Sequence, residues 1–132
     1  MKTVRATAAV ILRDGRCFVA KRGNKGYSAF KWEFPGGKIE DGETPEQSIV
    51  REIAEEIACE IVVGRLFMRI VHRYPTFILD MDVFLCELLN GEPQNIVHID
   101  SRWVNSSQLS RLKLSDADGP IAKKLAELKI LA

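Results

Sequence analysis

The sequence predicts a layered α/β domain, because β-rich segments lie on either side of one strong central helix and a second helix closes the chain. Thr3 to Leu12 is rich in β-branched and apolar residues, Arg13-Asp14-Gly15-Arg16 carries turn chemistry, and Cys17 to Lys21 resumes the apolar run. Together they form a hairpin. Gly23 to Lys31 is polar, a surface loop. In Trp32-Glu33-Phe34-Pro35-Gly36-Gly37, the proline and paired glycines break regular structure and let backbone approach a neighbour closely. The central helix starts at Thr44, an N-cap, with Pro45 at the first helical position and Gln47 completing a capping box; it runs to about Ala58. Ile61 to Val71 and Thr76 to Leu88 read as two longer strands, followed by the turn Asn90-Gly91-Glu92-Pro93. A short strand surrounds Trp103 within Ser101 to Asn105. Ser106 is the expected cap of a short helix, and Asp116 or Asp118 that of a last helix reaching about Leu131.

Composition narrows the function classes. With 132 residues, the chain fits one domain over 1–132. Hydrophobic residues make up 46% and charged residues 28%, the balance of a soluble globular protein. Nineteen basic against eighteen acidic residues leave a net charge of +1, so no global field argues for a nucleic-acid polymer or a membrane surface as partner. A polyanion must be held by a local site. The apolar run Ala8 to Leu12 is too short for a signal-peptide core or a membrane span. Cys17, Cys59 and Cys86 are odd in number, far apart and without a CxxC pair. They read as reduced, mostly buried thiols of a cytoplasmic protein. The expected assembly is a monomer or homodimer.

On a helix advancing about 100° per residue, Ile49, Val50, Ile53, Ala54 and Ile57 gather into an apolar stripe. Glu52, Glu55 and Glu56 gather on the largely opposite side, where neighbours have Cβ atoms about 5–6 Å apart. Arg51 relieves part of this repulsion through Glu55 at i+4, but one cation does not neutralise three anions. A divalent metal would. A solvated acidic face is the ordinary explanation of such a helix; the preceding segment shifts the balance. Gly36 and Gly37 can bring a backbone carbonyl beside the carboxylates, and Glu43 lies just ahead of the cap. Magnesium takes oxygen ligands, typically one or two carboxylates with waters and substrate phosphates.

These residues resemble the Nudix box. Gly37 is followed after five residues by Glu43, and after seven more by Arg51-Glu52-Ile53-Ala54-Glu55-Glu56-Ile57-Ala58-Cys59. Matching its seven most restrictive positions by chance at a given start has odds on the order of one in a hundred million. The chain departs from the family at Ala58, usually glycine, and at Cys59, usually a larger aliphatic residue. The resemblance covers nearly the whole chain and points to the MutT-like branch: Trp32 to Lys38 is similar to that branch's entry to the box, Lys21-Arg22 to a phosphate-holding position, and Leu114 to Ile121 to a base-reading segment. It implies an α/β/α sandwich with a mixed β-sheet.

The resemblance also implies a mechanism. Glu52, Glu55, Glu56 and the carbonyl of Gly36 or Gly37 bind Mg²⁺, with Mn²⁺ as substitute, and a nucleoside triphosphate is cut into the monophosphate and pyrophosphate. Glu52 and Glu56 are both candidates to receive the proton of the attacking water. Glu43 and Arg51 orient the carboxylates, and Arg22 is either a phosphate clamp or a strand-end surface residue. MutT-like relatives often carry a further loop glutamate ahead of the strand tryptophan. Counting back from Trp103, that place holds Val97, with His98 next. His98 is then a substitute base, a phosphate donor or an incidental loop residue; Glu87, Glu92 and Asp100 are weaker stand-ins. A carboxylate at Asp118 accepts hydrogen bonds without donating, which tilts base preference toward cytidine nucleotides, including 5-modified dCTP, over 8-oxo-dGTP. The alternative is that Asp118 caps the last helix. Phe34, Tyr74 and Phe77 are candidates to stack on the base or to fill the core.

Two other readings compete with a nucleotide-pool housecleaning enzyme. One is a hydrolase of another diphosphate such as ADP-ribose, and the other a Nudix-fold module that binds nucleotide without catalysis. The intact Glu52, Glu55 and Glu56 argue against the binding module, and the missing loop glutamate is its best support.

Overall fold

The computed structural model describes residues 1–132. Strand β1 (Lys2–Arg13) turns back through Asp14 and Gly15, both at positive φ, into β2 (Arg16–Lys21). Two short strands, β3 (Trp32–Glu33) and β4 (Gly36–Lys38), precede helix α1 (Pro45–Ile57). The long hairpin β5 (Glu60–Arg73) and β6 (Phe77–Asn90) follows. Then come β7 (Asp100–Val104), α2 (Ser106–Ser110), a 3₁₀ turn over Asp116–Asp118, and α3 (Gly119–Glu127).

The strands form one seven-stranded mixed sheet. Its parallel pair is β1 with β6, in register from Lys2↔Phe77 to Ile11↔Cys86. On its other edge β1 pairs antiparallel with β4 and, near its end, with β2, while β2 carries β3 and β7. The near-continuous apolar run in β1 follows from burial on both faces. Ala6, Ala8 and Val10 pack with Leu109, Ile121 and Leu125 of α2 and α3. Ala9 and Ile11 point the other way, into Ile49, Ile53 and Ile57 of α1. Each of those isoleucines is fully buried, contributing about 2 kcal/mol. The sheet is thus sandwiched between helices.

The apolar stripe of α1 is narrower than its sequence indicates. Val50, 41% exposed, and Ala54 face solvent, while Ser48 is fully buried. A helix resting on a sheet meets it along one line, here 49, 53 and 57, and residues one step further round fall off it. Ser48 is accommodated because its hydroxyl lies 3.4 Å from that of Thr7 on β1. Thr44 and Gln47 make both bonds of the capping box. Ala58 ends α1 in the left-handed region, at φ 57°.

Two caps differ from expectation. Asn105, not Ser106, caps α2, because it has Gln108 three residues on and the pair completes a second capping box. Asp118 sits at the start of α3 without a side-chain capping bond, its carboxylate being engaged elsewhere. The last helix stops at Glu127 rather than near Leu131. Lys129 turns left-handed, Ile130 N–H closes on Leu125 O at 3.1 Å, and Ala132 N–H then donates to Gly15 O at 2.8 Å. The three cysteines are buried and unpaired.

Candidate active site

Helix α1 and strand β4 meet where the sheet presents its paired glycines. A Cβ on Gly36 would lie 2.0 Å from Thr7 O, and one on Gly37 would lie 2.4 Å from the carboxylate carbon of Glu52. Only glycine lets this strand pass so near both neighbours. Glu56 turns its Oε1 to the Gly36 N–H at 3.0 Å.

Arg51 is the hub of the acidic face. Its Nε and Nη2 donate to the two oxygens of Glu43 at 2.7 and 2.9 Å, and Nη2 also reaches Lys38 O at 3.0 Å. Nη1 donates to Glu52 at 2.9 Å and to Glu55 at 3.1 Å. Arg51 therefore ties the loop before α1 to two carboxylates on it. Its guanidinium beside Glu43, with a backbone bond from Glu40, holds the Glu43 carboxyl at about 2. Glu56 goes the other way: burial, with Glu33 and Glu52 nearby, pushes it up to about 7 against the opposing pull of His98 and Gly36.

Glu52, Glu55 and Glu56 do not converge on one point, and no three His, Cys, Asp or Glu side chains are gathered as a ready cation cage. Arg51 draws Glu52 and the exposed Glu55 to itself, while Glu56 bends to the Gly36 amide. That amide, rather than the carbonyl, is what Gly36 turns toward the acidic face. The donor set nonetheless fits a hard divalent ion. It consists of carboxylate oxygens on one helical face against a glycine strand, and the Glu52 group fills the space a Cβ at position 37 would take.

Beyond Glu56 lies a second polar group. Arg22 Nη1 donates to Glu33 Oε1 at 3.0 Å, and His98 Nε2 meets Glu33 Oε2 at 2.9 Å. The His98 side chain is only 3% exposed, so it is not an incidental loop residue, whereas Val97 is solvent-facing. The other stand-ins lie elsewhere: Glu92 pairs with Arg13, Asp100 accepts from Ser101 N–H, and Glu87 is exposed opposite Val62 on β5. Arg22, Glu33, Glu56 and His98 line a polar cavity of about 370 Å³.

Arg22, Glu33 and Glu56 also line a larger cleft of about 590 Å³, which reaches from Gly36, Gly37 and Glu56 to Asp118, Phe34, Tyr74 and Phe77. Asp118 Oδ2 accepts from Phe34 N–H at 2.8 Å. Strand β3 pins the segment before it, with Trp32 N–H on Lys113 O at 2.9 Å and Ser115 N–H on Trp32 O at 2.8 Å. Burial pushes Asp118 up to about 7, with Glu33 adding to the shift and the bonds from Phe34 and Ser115 opposing it. The Phe34 ring belongs to the apolar core. Tyr74 and Phe77 stack at 5.0 Å between centroids, and Tyr27 lies on Tyr74 at 5.6 Å with its hydroxyl 2.9 Å from Thr76.

The NUDIX domain family model matches residues 7–124. The chain belongs to the NUDIX family. It is similar to the 8-oxo-dGTP diphosphatase of Escherichia coli (strain K12), 32% identical over 97% of this chain and all of that one. It is 30% identical to the CTP pyrophosphohydrolase of the same organism, covering 98% of this chain and 96% of the relative. The solution structure of the E. coli ORF135 protein superposes with a TM-score of 0.83, at 29% identity over 98% of this chain and 92% of that one. The chain is a MutT-like Nudix enzyme, and its α/β/α sandwich with a mixed sheet is the Nudix fold.

For this Nudix hydrolase, sequence reasoning passed over Glu33 and Tyr27. Glu33 stood in the glycine-strand segment, where a polar residue two places before Pro35 was its only sign. Tyr27 stood in a loop with no periodicity to mark it. The cleft brings together Arg22, Phe34, Gly36, Gly37, Glu56 and Asp118, and leaves Glu43, Arg51, Glu52, Glu55 and His98 outside its lining.

Proposed function

We propose that residues 1–132 act as one Nudix hydrolase domain that cuts a nucleoside or deoxynucleoside triphosphate into the monophosphate and pyrophosphate. The observation that carries this reading is the single cleft running from the acidic helix to the buried Asp118. Its two ends differ in chemistry as the two ends of a nucleotide do. Glu52, Glu55, Glu56 and the backbone carbonyl of Gly37 would hold Mg²⁺, or Mn²⁺ in its place. When bound, the ion neutralises triphosphate charge and acidifies a water.

The chain's own groups divide the remaining work. Arg22 holds phosphate oxygens, and Glu43 and Arg51 fix the directions of Glu52 and Glu55. Glu56 is the better placed of the two candidates to receive the proton of the attacking water, because it lines the cleft, whereas Glu52, bonded to Arg51 at 2.9 Å, does not. The stacked Tyr27, Tyr74 and Phe77 form one aromatic wall of the cleft beside the base. Free nucleotides of the cytoplasm are the substrates, with no nucleic-acid polymer or membrane as partner, and the working form is a monomer or homodimer. No helix is long and apolar enough to cross a membrane.

Asp118 bears on base preference. Burial pushes the Asp118 carboxyl up to about 7, so both of its protonation states bear on the base. Deprotonated, it accepts from an amine such as cytosine N4; protonated, it also donates, as reading 8-oxo-guanine requires. Both cytidine and 8-oxo-guanine triphosphates are therefore substrates in this reading. The test is a panel of common, oxidised and 5-methylated (d)NTPs with Mg²⁺, scored for pyrophosphate and monophosphate. Pyrophosphate release abolished by Glu55→Gln or Glu56→Gln supports the reading. Silence across the panel, or release indifferent to both substitutions, rejects it.

A further inference from the structure

We infer that Glu33 is a positioning residue that aims Arg22 at substrate phosphate, and that the buried His98 is the anchor holding Glu33 in place. The inference deepens the proposed function, since it rests on Arg22 meeting phosphate in the cleft. Arg22 follows the last residue of β2 and opens a loop that contains Gly23 and Gly26, the latter at φ +79°. Its backbone is closed by Arg22 N–H on Lys31 O at 2.9 Å, which leaves a long side chain to be fixed by its own contacts. That contact is Glu33 Oε1 at 3.0 Å. Arg22 Nε is buried without a partner, although a guanidinium free to turn would carry that N–H to water or an acceptor. Glu33 holds it against that preference.

Glu33 has rotatable bonds of its own and needs a fixed neighbour. His98 supplies it. The ring is 3% exposed and spends Nε2 on Glu33 Oε2 at 2.9 Å. Its loop is tied to the same strand end by Ile99 N–H on Lys21 O at 3.0 Å. The order of support runs from a ring held by burial, its Nδ1 without a partner, to a carboxylate to a guanidinium that borders both cavities. Ordering a rotamer-rich side chain before binding removes a cost that would otherwise fall on the complex. His98 is accordingly neither the base nor a phosphate ligand; it acts through Glu33.

The test combines kinetics with a resonance that needs no turnover. Glu33→Ala raises KM for CTP roughly tenfold with kcat within about twofold, the size expected for one side chain losing its pre-ordering. In an Arg22→Ala background the same substitution adds nothing further, because Glu33 works through Arg22. Glu33→Gln restores most of KM, since an amide oxygen still accepts from Arg22 and its nitrogen can donate to the His98 ring. By NMR, the Arg22 Nε–H signal is sharp and slow to exchange in the wild type, and is lost in Glu33→Ala and His98→Ala but kept in Glu33→Gln. An Arg22 signal indifferent to Glu33→Ala, a KM penalty that persists without Arg22, or a fall in KM on removing the negative charge would overturn the inference. A wild type that cleaves no triphosphate would end the proposed function, while the resonance would still decide this arrangement.

Discussion

Arg51 grips both carboxylate oxygens of Glu43, through Nε at 2.7 Å and Nη2 at 2.9 Å, while its third nitrogen holds Glu52 and Glu55. A planar fork can do this and an ammonium cannot. Arg51→Lys is expected to lower kcat by about 10–100-fold, the usual effect of disturbing groups that orient ligating carboxylates. Mg²⁺ dependence should shift to higher concentration in parallel. Unchanged magnesium dependence in the lysine variant would remove the orienting role.

The same pair sets an acid-side prediction. Glu43 titrates at about 2 in the fold against an ordinary value of 4.5, so its depressed carboxyl stabilises the native state above pH 4.5. That contribution fades as pH falls toward 2. Urea unfolding of wild type and Glu43→Gln should differ at pH 6 and converge by about pH 2. A constant gap across that range would mean that the charge on Glu43 contributes nothing.

The two glycines should fail differently. A Cβ on Gly37 meets the end of the Glu52 side chain at 2.4 Å, which can swing away, whereas one on Gly36 meets the backbone oxygen of Thr7 at 2.0 Å, which cannot. Gly37→Ala is therefore expected to retain its melting temperature within a few degrees while losing most activity through a displaced Glu52. Gly36→Ala should lose about 1–3 kcal/mol of stability or more, as overpacked sites do. Calorimetry beside pyrophosphate release separates the two cases, and equal thermal damage in both would contradict the geometry.

How much of this was legible in the sequence depends on the range of each interaction. The capping box at Thr44 and Gln47, the Asp14-Gly15 turn and the i, i+3, i+4 glutamates are local, and each appears where its residues indicate. Val50 is exposed because the line of contact between α1 and the sheet depends on the sheet's placement, which no helical period encodes. The partners of Asp118 and His98 lie 84 and 65 residues away. Nothing near Asp118 in the chain shows that Phe34 N–H will occupy it, so a cap and a base reader remain equivalent until β3 is placed. Glu33 was hidden for the same reason: its importance comes from two donors delivered by separate segments.

The exit of α1 offers a stabilising change. Ala58 holds φ 57° and ψ 38°, a conformation that disfavours an L side chain by about 1–2 kcal/mol and suits glycine. Part of that gain is offset by the greater freedom of glycine in the unfolded chain. Ala58→Gly should raise stability by about 1 kcal/mol with kcat and KM unchanged, since the residue lies outside the cleft lining. A loss of stability in denaturant melts would show that the Ala58 methyl contributes packing that outweighs the strain.

Asp118 ties stability to selectivity through one proton. Its carboxyl titrates near 7 in the fold against 3.8 ordinarily, so between those values the native state holds a proton that the unfolded chain has released. Stability therefore falls as pH rises from about 4 to about 7 and is level beyond. Asp118→Asn keeps an acceptor for Phe34 N–H and cannot ionise. Relative to wild type it should match in stability near pH 4 and gain steadily up to pH 7. The ratio of kcat/KM for CTP to that for 8-oxo-dGTP should climb in the wild type as pH passes 7, because the deprotonated form only accepts. In the asparagine variant it should be flat, and lower than wild type at pH 8. A wild-type ratio without pH dependence, or a slope that survives the substitution, would place base selection on another group in the cleft.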